Sequence, residues 1–272
     1  MSQAGKSDVS DQIINKAKSL GASLAGIASV DLLKKSPSHD IYTKIKPNQG
    51  VGSRDFAEGV KPGEVAWPPS TKSALVIALA HKADDLQMDM WIEYDEDRES
   101  RGGRILQDIL KEMSEWVKKE FTMTTYLLPY HLEKGGIFYK DAGVLAGFGC
   151  IGKNNLLVTP EYGPRVRVSA LLFDEDLQAT GPIIYDPCDG CGEPCRQACP
   201  RNAFGYAAHS PIEMGMVTLP GKNGWYDRET CRPETEENIE NKEFIKLEGC
   251  KEPVGVIKFC RLCELSCTVG KG

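Results

Sequence analysis

The chain has 272 residues, 41% of them hydrophobic, enough to bury one large core or two modest ones. Its formal charge of −6 argues against a broad phosphate-binding surface, and no apolar run approaches the roughly 20 residues of a membrane span. The opening MSQAGKSDVSDQ has no basic segment followed by an apolar one, so a cytoplasmic, reducing setting with no membrane partner is expected.

Helical spacing of Ile13, Ile14, Ala17 and Leu20 predicts a helix over 10–20 with Ser10 as its N-cap. Residues 23–28 read as a short buried strand. From Ser36 to Ser70 the chain is rich in Pro and Gly and reads as long ordered loops, in which Phe56, Val60 and Trp67 seek burial. Ala74–Ala80 is a continuous apolar run of strand length, read as a central strand. Residues 104–121 predict an amphipathic helix with Ile105, Ile109, Met113 and Trp116 on its apolar stripe. Thr124–Pro129 and Val166–Phe173 read as strands, with a short helix over Lys140–Ala146 between them. This order suggests an α+β sandwich over residues 1–180. Beyond it, residues 181–272 are short of apolar runs and rich in Cys, Gly and Pro, as expected of a second domain in which metal replaces part of a hydrophobic core. Within that domain, 233–248 is an acidic insertion, read as a solvated loop or helix.

Nine of the ten cysteines fall between Cys188 and Cys267. The first group is Cys188-x2-Cys191-x3-Cys195-x3-Cys199-Pro200 and the second is Cys260-x2-Cys263-x3-Cys267, with Cys231 and Cys250 between them. Short spacings let thiolates of one tight loop converge on a cubane face, and a Cys-Pro step sends the next ligand toward a second cluster. The bacterial two-cluster ferredoxin run has this logic, C-x2-C-x2-C-x3-C-P. Here the first loop is one residue longer, and Thr268 rather than Pro follows Cys267. Structural zinc and a redox C-x-x-C compete, but zinc sites lack the Cys-Pro signature, and a redox pair would not recur beside six more cysteines. Two [4Fe–4S] clusters are therefore expected. Cys188, Cys191, Cys195 and Cys267 would hold one; Cys199, Cys260, Cys263 and either Cys231 or Cys250 would hold the other. The spare cysteine and Cys150 read as small buried hydrophobes.

Residues 146–166, AGFGCIGKNNLLVTPEYGPRV, form a glycine-rich turn followed by a strand. They fit neither G-x-x-x-x-G-K-[ST] nor G-x-G-x-x-G, so no nucleotide site is indicated. This segment, extended to AGFGCIGKNNLLVTPEYGPRVRVSALLFD, resembles the AG-x-G-x-x-GKN-x-LL-x-TPE-x-G stretch of epoxyqueuosine reductases and of corrinoid reductive dehalogenases. The cysteine order, four then one then three, is similar to theirs as well.

The resemblance covers most of the chain. It implies a nitroreductase-like α+β domain holding a base-off cobalamin, with a two-cluster ferredoxin-like domain packed over it. Electrons would pass from an external donor of ferredoxin or flavodoxin type through both clusters to cobalt. A small molecule or a modified nucleoside, tRNA included, would be reduced there. The resemblance also matches Thr230-Cys231-Arg232 to the family's lone middle cysteine, favouring Cys231 over Cys250, and it sets Gly152, Lys153, Asn154, Thr159 and Pro160 along the corrinoid. For the proton donor, HLEKGGIFYKDAG offers Glu133, Tyr139, Lys140 and Asp141. The dehalogenase habit of a Tyr beside a Lys or Arg favours Tyr139 with Lys140, and Glu133 is the acidic alternative. The helical repeats with which epoxyqueuosine reductases bind tRNA have no counterpart up to Gly272, which weakens tRNA as the expected substrate. An electron-transfer protein without substrate chemistry of its own is the alternative reading.

Overall fold

A computed structural model describes residues 3–46, 56–81, 88–94, 97–246 and 251–271. Helix α1 (Gln3–Ser19) leads into strand β1 (Leu24–Ser29), the short helices α2 (Val30–Lys34) and α3 (Pro37–Tyr42), and strand β2 (Ser73–Ala80). A hairpin of β3 (Trp91–Tyr94) and β4 (Asp97–Ser100) precedes α4 (Arg101–Phe121), β5 (Thr125–Leu127) and α5 (Tyr139–Leu145). The two-residue strands β6 (Cys150–Ile151) and β7 (Leu157–Val158) pair with each other ahead of β8 (Val166–Phe173). In the cysteine-rich part, the one-turn helices α6 (Pro194–Gln197), α7 (Pro211–Met214) and α8 (Pro220–Asn223) come first. The longer α9 (Arg228–Glu240), strands β9 (Glu243–Ile245) and β10 (Val254–Ile257), and a last turn α10 (Leu262–Leu265) follow.

A four-stranded antiparallel sheet, β1-β2-β8-β5, forms the centre, with helices on both faces. The apolar run of β2 explains why both faces are covered. Leu75, Ile77 and Leu79 point into one core with residues of α1 and α4, while Ala74, Val76 and Ala78 point into a second core with residues of α2 and α5. A strand apolar at every position stays out of water only between two layers, and each large aliphatic so buried contributes about 1.5–3 kcal/mol. Helix α4 starts three residues before the predicted limit, where the Ser100 hydroxyl accepts from the Gly103 N–H at 3.0 Å. Its buried stripe is Leu106, Ile109, Leu110, Met113 and Val117; Ile105 and Trp116, expected on the stripe, flank it partly buried.

Two further expectations need correction. The stretch from Ser36 to Ser70 is not loop throughout, because Pro37 at the helix start fixes φ and α3 forms there; residues 47–55 lie outside the described residues. The hairpin β3-β4 carries no alternating apolar pattern and was not expected. It is stabilised by partners distant in sequence: β3 pairs with β10, giving a second antiparallel sheet β4-β3-β10-β9. That sheet joins residues 91–100 to residues 243–257 and ties the cysteine-rich part to the central one.

Candidate metal centres and the adjoining cavity

The cysteines gather into two sets. Cys188, Cys191, Cys195 and Cys267 line one small cavity, with Lys153, Asn154 and Val158 forming another of its walls. The Cys195 thiol is pushed up by burial first and then by the charges of Cys267, Cys188 and Cys191. Around the second set, the Cys263 thiol is pushed up to about 12, by burial first and then by Cys260, Cys231, Glu264 and Cys199. Cys231 sits on the first turns of α9, whose N-cap Asp227 accepts from the N–H groups of Glu229 and Thr230. The first half of the acidic insertion, 233–240, is thus helix, and that helix begins early enough to carry Cys231. Cys250 lies outside the described residues. Among the described residues, no three cysteine sulfurs come within 4.8 Å of one another.

The glycine-rich turn packs against both sets. The Lys153 N–H donates to Cys188 Sγ at 3.4 Å, and the Asn154 amide donates to the Cys263 carbonyl at 3.3 Å. Gly152 is tight here: a Cβ would lie 2.6 Å from Val158 and 3.4 Å from Cys188 Sγ. Lys153 Nζ pairs with Glu193 at 2.7 Å, and the Lys153 carbonyl accepts from Arg196 Nε at 2.8 Å. Thr159 is fully buried and closes the next turn, its hydroxyl donating to the Gly163 carbonyl and accepting from the Tyr162 N–H. Thr159 and Pro160 line a different, smaller cavity with Gly147 and Phe148. The five residues expected along one cofactor are therefore split between two places.

A buried charge network stands beside the second set. Asp89 pairs with Arg167 of β8 and with Arg261, and its carboxylate lies 2.9 Å from His81 Nδ1, which is also 2.8 Å from the Arg261 guanidinium. Arg261 also pairs with Glu264 at 2.6 Å. Burial alone would raise the Asp89 carboxyl, but the His81 hydrogen bond and the two guanidiniums outweigh it and hold the pKa below the usual range. His81, Asp89 and Glu264 offer ligand atoms within 4.8 Å of one another, yet the two arginines occupy that space as counter-ions. Apart from Arg261 and Glu264, three residues apart, the network joins segments distant in sequence: residues 81–89, Arg167 of β8 and the second cysteine group. The only local signal was the placing of Arg261 and Glu264 among the cysteines of the second group.

A large cavity, about 1090 Å³, opens between α5, the Cys150–Ile151 strand and the loops that carry α7 and α8. Cys150 lines it and is half-buried, not a core residue as expected, because a two-residue strand at the cavity rim leaves one side open. Burial and the nearby Cys188 push its thiol up to about 11. Asp141 also lines this cavity from α5.

The expected Tyr139–Lys140 pair does not form. Successive residues of a helix point about 100° apart. The Tyr139 hydroxyl donates to the Pro129 carbonyl at 2.8 Å, with its ring stacked on Tyr130, while Lys140 Nζ donates to the Asn155 carbonyl at 2.6 Å. Burial raises the phenol's pKa and lowers that of the ammonium. Glu133 is 1% exposed, with Oε1 lacking a hydrogen-bond partner and lying 3.7 Å from His131 Nδ1. Next to it, Trp91, Tyr130, His131 and Phe259 form an aromatic cluster with ring centroids 5.1–6.5 Å apart.

No family model matches the chain. It is 28% identical over 147 residues to an epoxyqueuosine reductase of Gloeobacter violaceus, covering 54% of this chain and 43% of that one. To an epoxyqueuosine reductase of Lactococcus garvieae it is 27% identical over 164 residues, covering 57% of this chain and 44% of that one. The chain thus spans less than half the length of these relatives. In fold it is similar to an epoxyqueuosine reductase solved with an epoxyqueuosine-modified tRNA stem loop, with TM-score 0.61 and 19% identity over 97% of this chain and 66% of that one. It is also similar to a catabolic reductive dehalogenase solved with 3-bromo-4-hydroxybenzoic acid, with TM-score 0.63 and 17% identity over 98% of this chain and 32% of that one.

Proposed function

We propose that the chain belongs to the superfamily of epoxyqueuosine reductases and corrinoid reductive dehalogenases, and that it is an iron–sulfur oxidoreductase with a corrinoid at its reducing end, a reading supported by its likeness to both. Its central sheet with helices on both faces would be the nitroreductase-like unit, and the cysteine-rich part the ferredoxin-like one. The observation that carries this reading is the sorting of eight cysteines into two sets: Cys188, Cys191, Cys195 and Cys267, and Cys199, Cys231, Cys260 and Cys263. Each set takes one [4Fe–4S] cluster. Sulfur spacing favours clusters over zinc, since four thiolates around one zinc at about 2.3 Å stand only about 3.8 Å apart. Here no three described sulfurs come within 4.8 Å. Backbone N–H donors to Cys188 and Cys199 would tune the clusters.

The corrinoid is assigned to the large cavity. At about 1090 Å³ it exceeds the roughly 300–1,000 Å³ of ordinary small-molecule pockets, as a macrocyclic cofactor requires. Cys150 in its wall feels the charge of Cys188, so the cavity adjoins the first cluster set. Gly152, Lys153 and Asn154 then serve the cluster side of that boundary. When bound, the clusters relay single electrons and the corrinoid supplies them to the substrate as a strong reductant.

The chain's own residues exclude water and hold the proton. Glu133 fits proton holding better than Tyr139 or Lys140, because its buried Oε1 is uncommitted while both others are engaged with backbone carbonyls. The aromatic cluster of Trp91, Tyr130 and Phe259 offers a face for a flat substrate. A modified nucleoside, in tRNA or free, and a substituted arene both have that shape. An external donor of ferredoxin or flavodoxin type would supply the electrons.

Anaerobic purification with metal analysis and visible spectra, with and without cobalamin, tests the reading. About eight irons and a corrinoid spectrum that shifts on binding are expected. Zinc in place of iron would overturn it, and eight irons with no corrinoid uptake would leave an electron carrier without substrate chemistry. Cys231→Ser should cost about four irons and Cys250→Ser none; the reverse result would move the ligand to Cys250.

A further inference from the structure

Asp141 has a polar atom that the protein leaves unused. The residue is 2% exposed, and its Oδ1 accepts the Ser38 N–H at 3.1 Å, capping α3 from another element. Its Oδ2 has no hydrogen-bond partner among the described residues. An uncommitted buried carboxylate oxygen is costly unless something donates to it. Asp141 lines the large cavity, and so does Ser36, the residue before α3.

Because Asp141 takes over the cap of α3, the Ser36 hydroxyl is released from capping. Its partner is His39, and the direction of that bond can be worked out. The Phe138 N–H donates to His39 Nε2 at 3.2 Å, so Nε2 carries no proton. Burial, only partly opposed by Asp141, pushes the His39 pKa down to about 4, so the ring is neutral and its single proton sits on Nδ1. Nδ1–H therefore donates to Ser36 Oγ, 2.8 Å away. The hydroxyl proton of Ser36 has no acceptor among the described residues, and it remains as a donor at the cavity wall.

A hydroxyl donor and a carboxylate acceptor on one wall complement a group that carries a carbonyl oxygen and an N–H₂ side by side. We propose that Ser36 and Asp141 form a recognition site for a primary carboxamide of the molecule that fills the large cavity. The carboxamide oxygen accepts from Ser36 and its nitrogen donates to Asp141 Oδ2. This rests on the corrinoid reading above, since a corrin ring carries primary carboxamides around its edge. It adds which residues of this chain read that edge.

Binding, not turnover, tests the site. Trp225 lines the same cavity, so its fluorescence and the corrinoid's visible spectrum both report occupancy. The iron-loaded protein is titrated with cobalamin and with heptamethyl cobyrinate, in which methyl esters replace the carboxamides. In Asp141→Asn the oxygen that accepts from Ser38 is retained, and an N–H₂ replaces Oδ2. This variant should bind cobalamin about tenfold or more weakly and the ester as the parent does. Ser36→Ala leaves the α3 cap in place and should weaken both ligands, because an ester carbonyl still accepts from a hydroxyl.

Equal loss of both ligands in Asp141→Asn would reduce Asp141 to a helix cap and overturn the site, as would no loss at all. Should Asp141→Asn fail to fold, Ser36→Ala decides alone, and unchanged binding overturns the site. No corrinoid uptake by the iron-loaded parent would overturn the corrinoid reading and this site with it, whereas uptake indifferent to both substitutions overturns the site alone.

Discussion

His39 shows how one buried side chain sets the polarity of its neighbourhood. It is packed against Trp67 and Phe138, and burial dominates its titration, taking the pKa from 6.5 to about 4. The unfolded chain therefore binds this proton at a higher pH than the folded one does. His39 lends its full contribution above the unfolded value of 6.5 and loses it as the pH falls toward 4. The loss amounts to about 3 kcal/mol across that window. His39→Gln keeps an acceptor for Phe138 and cannot titrate, so its unfolding free energy should fall less steeply with acid than the parent's. Equal slopes in denaturant titrations across the window would mean that the ring already carries a proton in the fold. The sequence contained no hint of this relay from Phe138 through His39 to Ser36, because Phe138 stands 99 residues from His39. The cysteines, by contrast, announce their chemistry through local spacing, and Cys231 is the exception. Spacing left it level with Cys250; α9 brings it beside Cys260 and Cys263.

At the level of elements, legibility followed hydrophobic period. Strands β2 and β8 and helix α4 bury long apolar patterns and were readable within a few residues, whereas β3, β4, β9 and β10 carry short mixed segments that become strands only by pairing with each other. The glycine-rich turn was visible as sequence, but not what its glycines permit. At Gly149 the backbone has φ +148°, and a Cβ there would lie 2.1 Å from the Val158 carbonyl oxygen. Only a residue without a side chain lets β6 and β7 close into the small hairpin that carries Cys150 and presents Lys153 and Asn154 to the cysteine sets. Gly149→Ala should therefore destabilise the protein by roughly 2 kcal/mol or more, from strain at the left-handed backbone together with the clash. Iron should be lost from the first set before the second, since Lys153 would shift from Cys188. Thermal unfolding paired with iron analysis checks both, and a stable variant with full iron would show that the hairpin opens without consequence.

Across the whole molecule, two devices join the central sheet to the cysteine-rich part. One is the shared sheet β4-β3-β10-β9, and the other is the charge network in which Asp89 and Arg167 from one side meet Arg261 and Glu264 from the other. A buried ion network is weak evidence of net stability, because desolvation of the charges offsets much of their attraction. Removing one member is a different matter. Asp89→Asn would leave Arg167 and Arg261 with Glu264 as the remaining carboxylate of the network, and breaking a buried pair in this way costs about 3–5 kcal/mol. Arg261 and Glu264 flank Cys263 and follow Cys260, so the strain falls on the second cysteine set. Asp89→Asn should therefore lose about four of about eight irons while the first set keeps its own, a pattern opposite to that of Gly149→Ala. Adding Arg261→Met removes one of the orphaned charges and should recover 1 kcal/mol or more of stability, on the order of the coupling between buried neighbours. Full iron in Asp89→Asn with only a lowered melting temperature would make the network a seam between the two parts with no hold on the cluster loop. Iron loss rescued by Arg261→Met would instead tie the second cluster's site to the sheet through these charges.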